Sequence, residues 1–258
     1  MKYPTLVYFT SVRYTGGMSY ITIDMHREHA TYTVGLPGTD RLKLVSQPTW
    51  DGCITAISEL VDRPDDIVVT PELITSAGDD AIGTDSRMAL IAERIAEVQT
   101  LSERKPNLTI LLGSLMTREA TGDTLNTVQF IKEGTTVGYT AKTTIINQHE
   151  AAFITPARNR SDIQAVASHI QPIICADIFR PPTIDPWIDT LTVSALYGTP
   201  AGYDVPTVTD EATRERFLKM TIQDLFTAHT QLRTIAMVDR APTPDTQPFN
   251  VIAQRGLY

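Results

Sequence analysis

Short apolar runs of four to seven residues, broken by polar turns and by three longer stretches of helical spacing, set the rhythm of this 258-residue chain. The opening forty residues are rich in β-branched and aromatic side chains. Thr5–Thr10, Tyr20–Ile23 and Thr31–Val34 read as strands, parted by the turn signals Gly16-Gly17 and Gly35–Gly38. Leu42–Ser46 continues as a strand. Asp51–Leu60 then places Cys53, Ile54, Ile57 and Leu60 at helical spacing, and Ser86–Ser102 repeats the pattern with Met88, Ile91, Ile95 and Val98 on one stripe. Between these helices Asp66–Thr70 is almost wholly apolar, as expected of a strand covered on both faces. Asn107–Gly113 is the next buried strand, and Thr127–Lys132 and Thr136–Thr140, joined at Glu133-Gly134, read as a hairpin. Ile170–Ile174 and Thr190–Leu196 are strands. Asp210–Ala228 is a long helix whose Phe217, Met220, Ile222 and Leu225 are expected to face the core, and Thr234–Val238 and Phe249–Ala253 close the chain as strands.

Strands alternating with helices, with hairpins interleaved, predict an α/β protein of mixed sheets covered by helices. No internal repeat, low-complexity tract or long linker divides the chain, so residues 1–258 are expected to form a single domain. Hydrophobic residues at 42% and charged residues at 20% are those of an ordinary globular protein. A net charge of −8 with no basic cluster argues against nucleic acid as a partner. No run approaches eighteen apolar residues, so neither a transmembrane helix nor a membrane partner is expected. Two cysteines, Cys53 and Cys175, cannot build a disulfide framework, which points to a reducing cytoplasm. Phosphate-cradling glycine loops and the Gly-x-Ser-x-Gly elbow are missing from the sequence. His26 and His29 have a spacing that would suit a metal only on a helix, and their neighbours read as strand and turn; His149 reads as a loop residue. Neither a metal nor an organic cofactor is expected.

Three polar groups share one context, the C-terminal edge of an apolar strand-like segment: Glu72 after IVVTP, Lys142 after TVGYTA, and Cys175 after Ile173-Ile174. In open α/β sheets ligands gather beyond such strand ends. The chemistry of the set is coherent. A thiol needs a base or a nearby cation to act as a nucleophile. A carboxylate can take its proton and return it to a leaving amine, and an ammonium can stabilise the oxyanion formed by attack on a carbonyl or nitrile carbon. Each residue also has a plain structural reading: Cys175 as a small buried filler, Glu72 as a helix cap or loop acid, Lys142 as a solvated surface group.

Taken in order, the surrounding segments resemble the nitrilase superfamily of carbon–nitrogen hydrolases. Asp66–Leu73 (DIVVTPEL) looks like the family's strand followed by Pro-Glu. Thr136–Thr143 (TVGYTAKT) is similar to its lysine segment and follows a hairpin. Ile173–Pro181 (IICADIFRP) is similar to its strand, cysteine and aspartate. The resemblance implies an α-β-β-α sandwich in which Cys175 is the nucleophile, Glu72 the general base and Lys142 the oxyanion stabiliser. Glu150, eight residues after Lys142, would position the catalytic groups or the substrate. It further implies an oxyanion donor at the Ala176 N–H, a pocket lined by Tyr197, structural roles for Asp177 and Arg180 in the loop after Cys175, and a homodimer or larger assembly. The activity implied is hydrolysis of a small-molecule amide, carbamoyl or nitrile group through a thioester, amide cleavage ranking ahead of nitrile hydrolysis. A binding protein that keeps the fold, or an acyltransferase using the same residues, are the alternatives. Departures from the pattern are the β-rich residues 1–40, read as an extension or a remodelled first hairpin, a short C-terminal arm, Ala176 where an aromatic is common, and the reversed Phe179-Arg180 pair.

Overall fold

The computed structural model describes residues 12–16, 19–77, 84–118, 120–145, 148–159, 162, 164–196, 211–240 and 247–257. Twelve strands among them form two six-stranded sheets. The first runs in the order β1 (Val12–Gly16), β2 (Ser19–His26), β12 (Asn250–Leu257), β11 (Thr234–Asp239), β10 (Thr190–Ala195), β9 (Ile170–Ile174). The second runs β3 (Thr31–Gly35), β4 (Arg41–Val45), β5 (Asp66–Val69), β6 (Thr109–Thr117), β7 (Thr124–Lys132), β8 (Thr135–Ala141). Both sheets are mixed. β9, β10 and β11 are mutually parallel, as are β4, β5 and β6, while the flanking strands pair antiparallel. The central strands are buried throughout because both of their faces are covered. Pro172, which has no N–H to give a ladder, sits in β9 at the end of its sheet.

Three apolar cores account for the layering. Between the sheets, Leu42, Leu44, Val69, Leu111 and Val128 pack against Ile170, Ile174, Ala236 and Val238. Outside the second sheet, Trp50, Cys53 and Ile57 of α1 (Trp50–Glu59) and Val98 and Leu101 of α2 (Thr84–Arg104) cover Val45, Val68, Ile110 and Leu112. Outside the first sheet, α4 (Glu211–Ala228) buries Leu218, Ile222, Leu225 and Phe226 against Leu191, Val193, Ile235 and Met237. The order of layers is therefore helix, sheet, sheet, helix. Thr49 starts α1, its hydroxyl accepting from the Gly52 N–H at 3.2 Å.

The face expected for α4 is corrected. Phe217 and Met220 are 47% and 51% exposed, and Phe217 packs on the Phe179 ring at the flank of the core, 5.1 Å between centroids. Positions 218, 222, 225 and 226 follow the i, i+4, i+7, i+8 spacing more closely, and they form the buried stripe. Residues 19–35 divide between the sheets: β2 pairs with β12 and β3 with β4. The strand expected at Thr5–Thr10 lies outside the described residues. No helix among the described residues is long and apolar enough to cross a membrane.

Candidate active site

β9 ends at Ile174 in extended conformation, and the chain turns at Cys175 into a single 3-10 turn, Cys175–Ile178. Cys175 makes that turn with φ of +46°, a left-handed conformation that costs a residue with a Cβ about 1–2 kcal/mol. The turn lifts the side chain out of the strand's alternation. Its thiol is hydrogen-bonded to the Glu72 carboxylate, and the backbone N–H of Leu196, just past β10, donates to the sulfur. Burial is the largest influence on this thiol and pushes it above the ordinary range; Glu72 pushes the same way, while the Lys142 charge and the Leu196 N–H pull it back.

Glu72 follows β5, in the middle of the second sheet, and Lys142 follows β8 at its edge, and the two reach the same place across β6 and β7. Lys142 Nζ lies 2.9 Å from Glu72 Oε1 and donates a second, short hydrogen bond to Glu150 Oε1. Glu150 comes from α3 (Gln148–Ala151), one short turn, and its own backbone C=O accepts from the N–H groups of Phe153 and Ile154. The lysine is 2% exposed and Glu72 3%. Burial works against the ammonium, but Glu72, Cys175 and Glu150 more than offset it, so Lys142 is held protonated well above its ordinary range. The lysine's backbone is fixed on both sides, its N–H donating to Asn126 O and its C=O accepting from the Ala157 N–H, each at 2.8 Å.

Supporting contacts explain why the three ends converge. The C=O of Ala195, last residue of β10, accepts from the backbone N–H of Glu72 at 3.3 Å and of Arg240 at 3.2 Å. Gly113 in β6 lies against the Pro71–Glu72 peptide so closely that a Cβ there would sit 2.0 Å from the Pro71 oxygen. Asp177, buried two residues after the cysteine, accepts from the Thr143 N–H and hydroxyl and from the Thr144 N–H, at 2.7–3.2 Å. It therefore holds the loop that follows Lys142, joining the lysine and cysteine segments, whereas the sequence suggested only a role in its own loop. Burial pushes its carboxyl up, and the Thr143 and Thr144 bonds oppose that.

Glu72, Lys142, Glu150 and Cys175 are thus brought together. Ala176 is fully buried beside them. Tyr197 and the side chain of His149 lie outside the described residues. Arg180 is exposed and lines a cavity of about 390 Å³, with Arg158, Gln171 and Asp185, behind the Thr143–Asp177 link; none of the four clustered residues lines it. His26 stacks on Tyr32 at 4.7 Å and His29 Nδ1 lies 3.4 Å from Ser46 Oγ, so the pair does not converge on one point. Among the described residues no group of three or more His, Cys, Asp or Glu is arranged to hold a metal. Sequence reasoning missed Asn126, whose Nδ2 donates to Glu72 Oε1 at 2.6 Å; β7 carries a second amide, Gln129, and nothing in the strand singles Asn126 out.

No protein-family model matches the sequence, and no curated protein matches it. Solved structures do match. Nit3 of Saccharomyces cerevisiae, a member of branch 10 of the nitrilase superfamily, superposes with a TM-score of 0.53 at 12% identity, over 83% of this chain and 88% of Nit3. The fold is that of the nitrilase superfamily. An amidase from Nesterenkonia sp. shares this nitrilase fold with a TM-score of 0.57 at 10% identity, covering 84% of this chain and 89% of the amidase. The glutamine-dependent NAD+ synthetase of Acinetobacter baumannii aligns at 0.59 and 18% identity over 82% of this chain. The chain spans only 40% of that synthetase's length. At these identities the likeness is one of nitrilase fold.

Proposed function

We propose that this chain is a thiol-dependent hydrolase of a non-peptide carbon–nitrogen bond in a small amide, carbamoyl or nitrile compound. The observation that carries the reading is the buried Lys142 ammonium between Glu72 and Glu150, with the Cys175 thiol hydrogen-bonded to the same Glu72. Glu72 takes the thiol proton as the sulfur attacks the substrate carbon. Lys142 and the Ala176 N–H stabilise the charge that develops on the substrate's oxygen or nitrogen. For an amide, the carbon–nitrogen bond breaks, the proton passes from Glu72 to the leaving nitrogen, and a thioester remains. Glu72 then activates water, whose oxygen replaces the sulfur. Glu150 fixes the lysine. Tyr197 would line the pocket, and amide cleavage is the preferred reaction, in keeping with the Nesterenkonia amidase among the similar folds. The exposed Phe217 and Met220 of α4 suit a homodimer contact.

Intact-mass spectrometry of the protein mixed with short primary amides tests the reading. A mass increase of one acyl group is expected on the wild type and none on Cys175→Ala. An adduct that persists in water but discharges to an added amine would assign an acyltransferase, and no adduct with any amide, ester or nitrile would leave a binding protein.

A further inference from the structure

Asn126 is 1% exposed, in β7, and bonded to Glu72. A carboxylate only accepts, so the amide's NH2 must face it, which turns Oδ1 the other way. That oxygen is buried and has no hydrogen-bond partner among the described residues. Leaving a buried carbonyl unpaired forfeits its hydration with nothing in return, and folded proteins rarely do so without a reason. We infer that Asn126 Oδ1 accepts a hydrogen bond from the scissile nitrogen of a bound carboxamide, and that the site therefore selects substrates with N–H at that atom over esters and nitriles.

The inference rests on the hydrolase reading above. In that reaction the sulfur–carbon bond forms, the carbon–nitrogen bond breaks, and the thiol proton travels through Glu72 to the nitrogen, which departs as ammonia. The nitrogen must therefore approach Glu72, and Asn126 is bonded to that same carboxylate. One N–H of the carboxamide points to Oδ1 while the nitrogen lone pair takes the proton from Glu72. As positive charge grows on the nitrogen the bond to Oδ1 strengthens, so it stabilises the transition state more than the ground state. An ester oxygen or a nitrile nitrogen carries no hydrogen and leaves Oδ1 unpaired, the kind of mismatch by which enzymes reject isosteres most strongly.

The test compares kcat/KM for butyramide, methyl butyrate and butyronitrile in wild type and Asn126→Leu, with Cys175 acylation read by intact mass. The wild type is expected to prefer butyramide, and the variant to lose about tenfold or more on the amide than on the ester. Equal losses on both would mean that Asn126 only holds Glu72, which overturns the inference and leaves the hydrolase intact. A wild type that prefers the nitrile overturns it too. Absence of any Cys175 adduct from all three compounds in the wild type removes the hydrolase reading and the inference with it. Circular dichroism establishes folding; if Asn126→Leu does not fold, Asn126→Ser, smaller and with a hydroxyl in place of the amide, is put through the same comparison.

Discussion

The two cysteines of this protein are both buried, yet they occupy surroundings of different kinds. Cys53 lies in α1 among Val45, Ile57, Val68 and Leu101, with no charged group acting on it, and burial pushes its thiol up to about 12. Cys175 is as well hidden and is also pushed up, but it touches Glu72, feels Lys142 and receives the Leu196 N–H. Burial alone makes a thiol inert. What distinguishes Cys175 is a proton acceptor, a fixed cation and a left-handed turn that delivers the sulfur to both.

Removing the cation should break this contrast most severely. Lys142→Met leaves Glu72 and Glu150 buried without a counter-charge, and an uncompensated buried partner costs about 3–5 kcal/mol. A clearly lowered urea midpoint is expected, together with a loss of about 100-fold or more in Cys175 acylation; unchanged stability would mean that the two carboxylates are neutralised by some other route. The pH dependence of alkylation sharpens the contrast from another side. Because Cys175 is held above the ordinary thiol range, its labelling by iodoacetamide in the empty protein should rise about tenfold per pH unit from roughly pH 7 to 9 without levelling off. A plateau already below about pH 8 would reveal a stored thiolate and contradict the proton's place between sulfur and Glu72. The smallest effect is expected at the other thiol. Cys53→Ala should lower stability by about 1–2 kcal/mol, measured by denaturant unfolding, and change amide turnover by no more than about twofold.

Much of this contrast was legible in the sequence, because a strand end is a local pattern: apolar runs stop at Glu72, Lys142 and Cys175, and β5 and β9, each in the parallel part of its own sheet, bring two of those ends together. Asn126 was not legible. Its partner lies 54 residues away, and nothing in a strand buried on both faces says which of its amides will meet a carboxylate across the sheet. The same holds for Ser46, Asp239 and Asn250, which join β4 to the first sheet through bonds of 2.8–3.0 Å between residues up to 204 positions apart. The split of residues 19–35 between the two sheets was hidden likewise, since β12 is remote in the chain. On α4 the apolar positions are plentiful enough to suggest two overlapping stripes, and only packing against β10 and β11 chooses between them.

The contact at Gly113 bears on how this protein can change. Any side chain there would drive into the Pro71 oxygen and the Glu72 Cα, displacing the segment that carries the Glu72 carboxylate. In a library of all substitutions, position 113 should prove as intolerant as Cys175, although it meets no substrate. The second sheet therefore offers selection no graded way to shift the Glu72 carboxylate through this position.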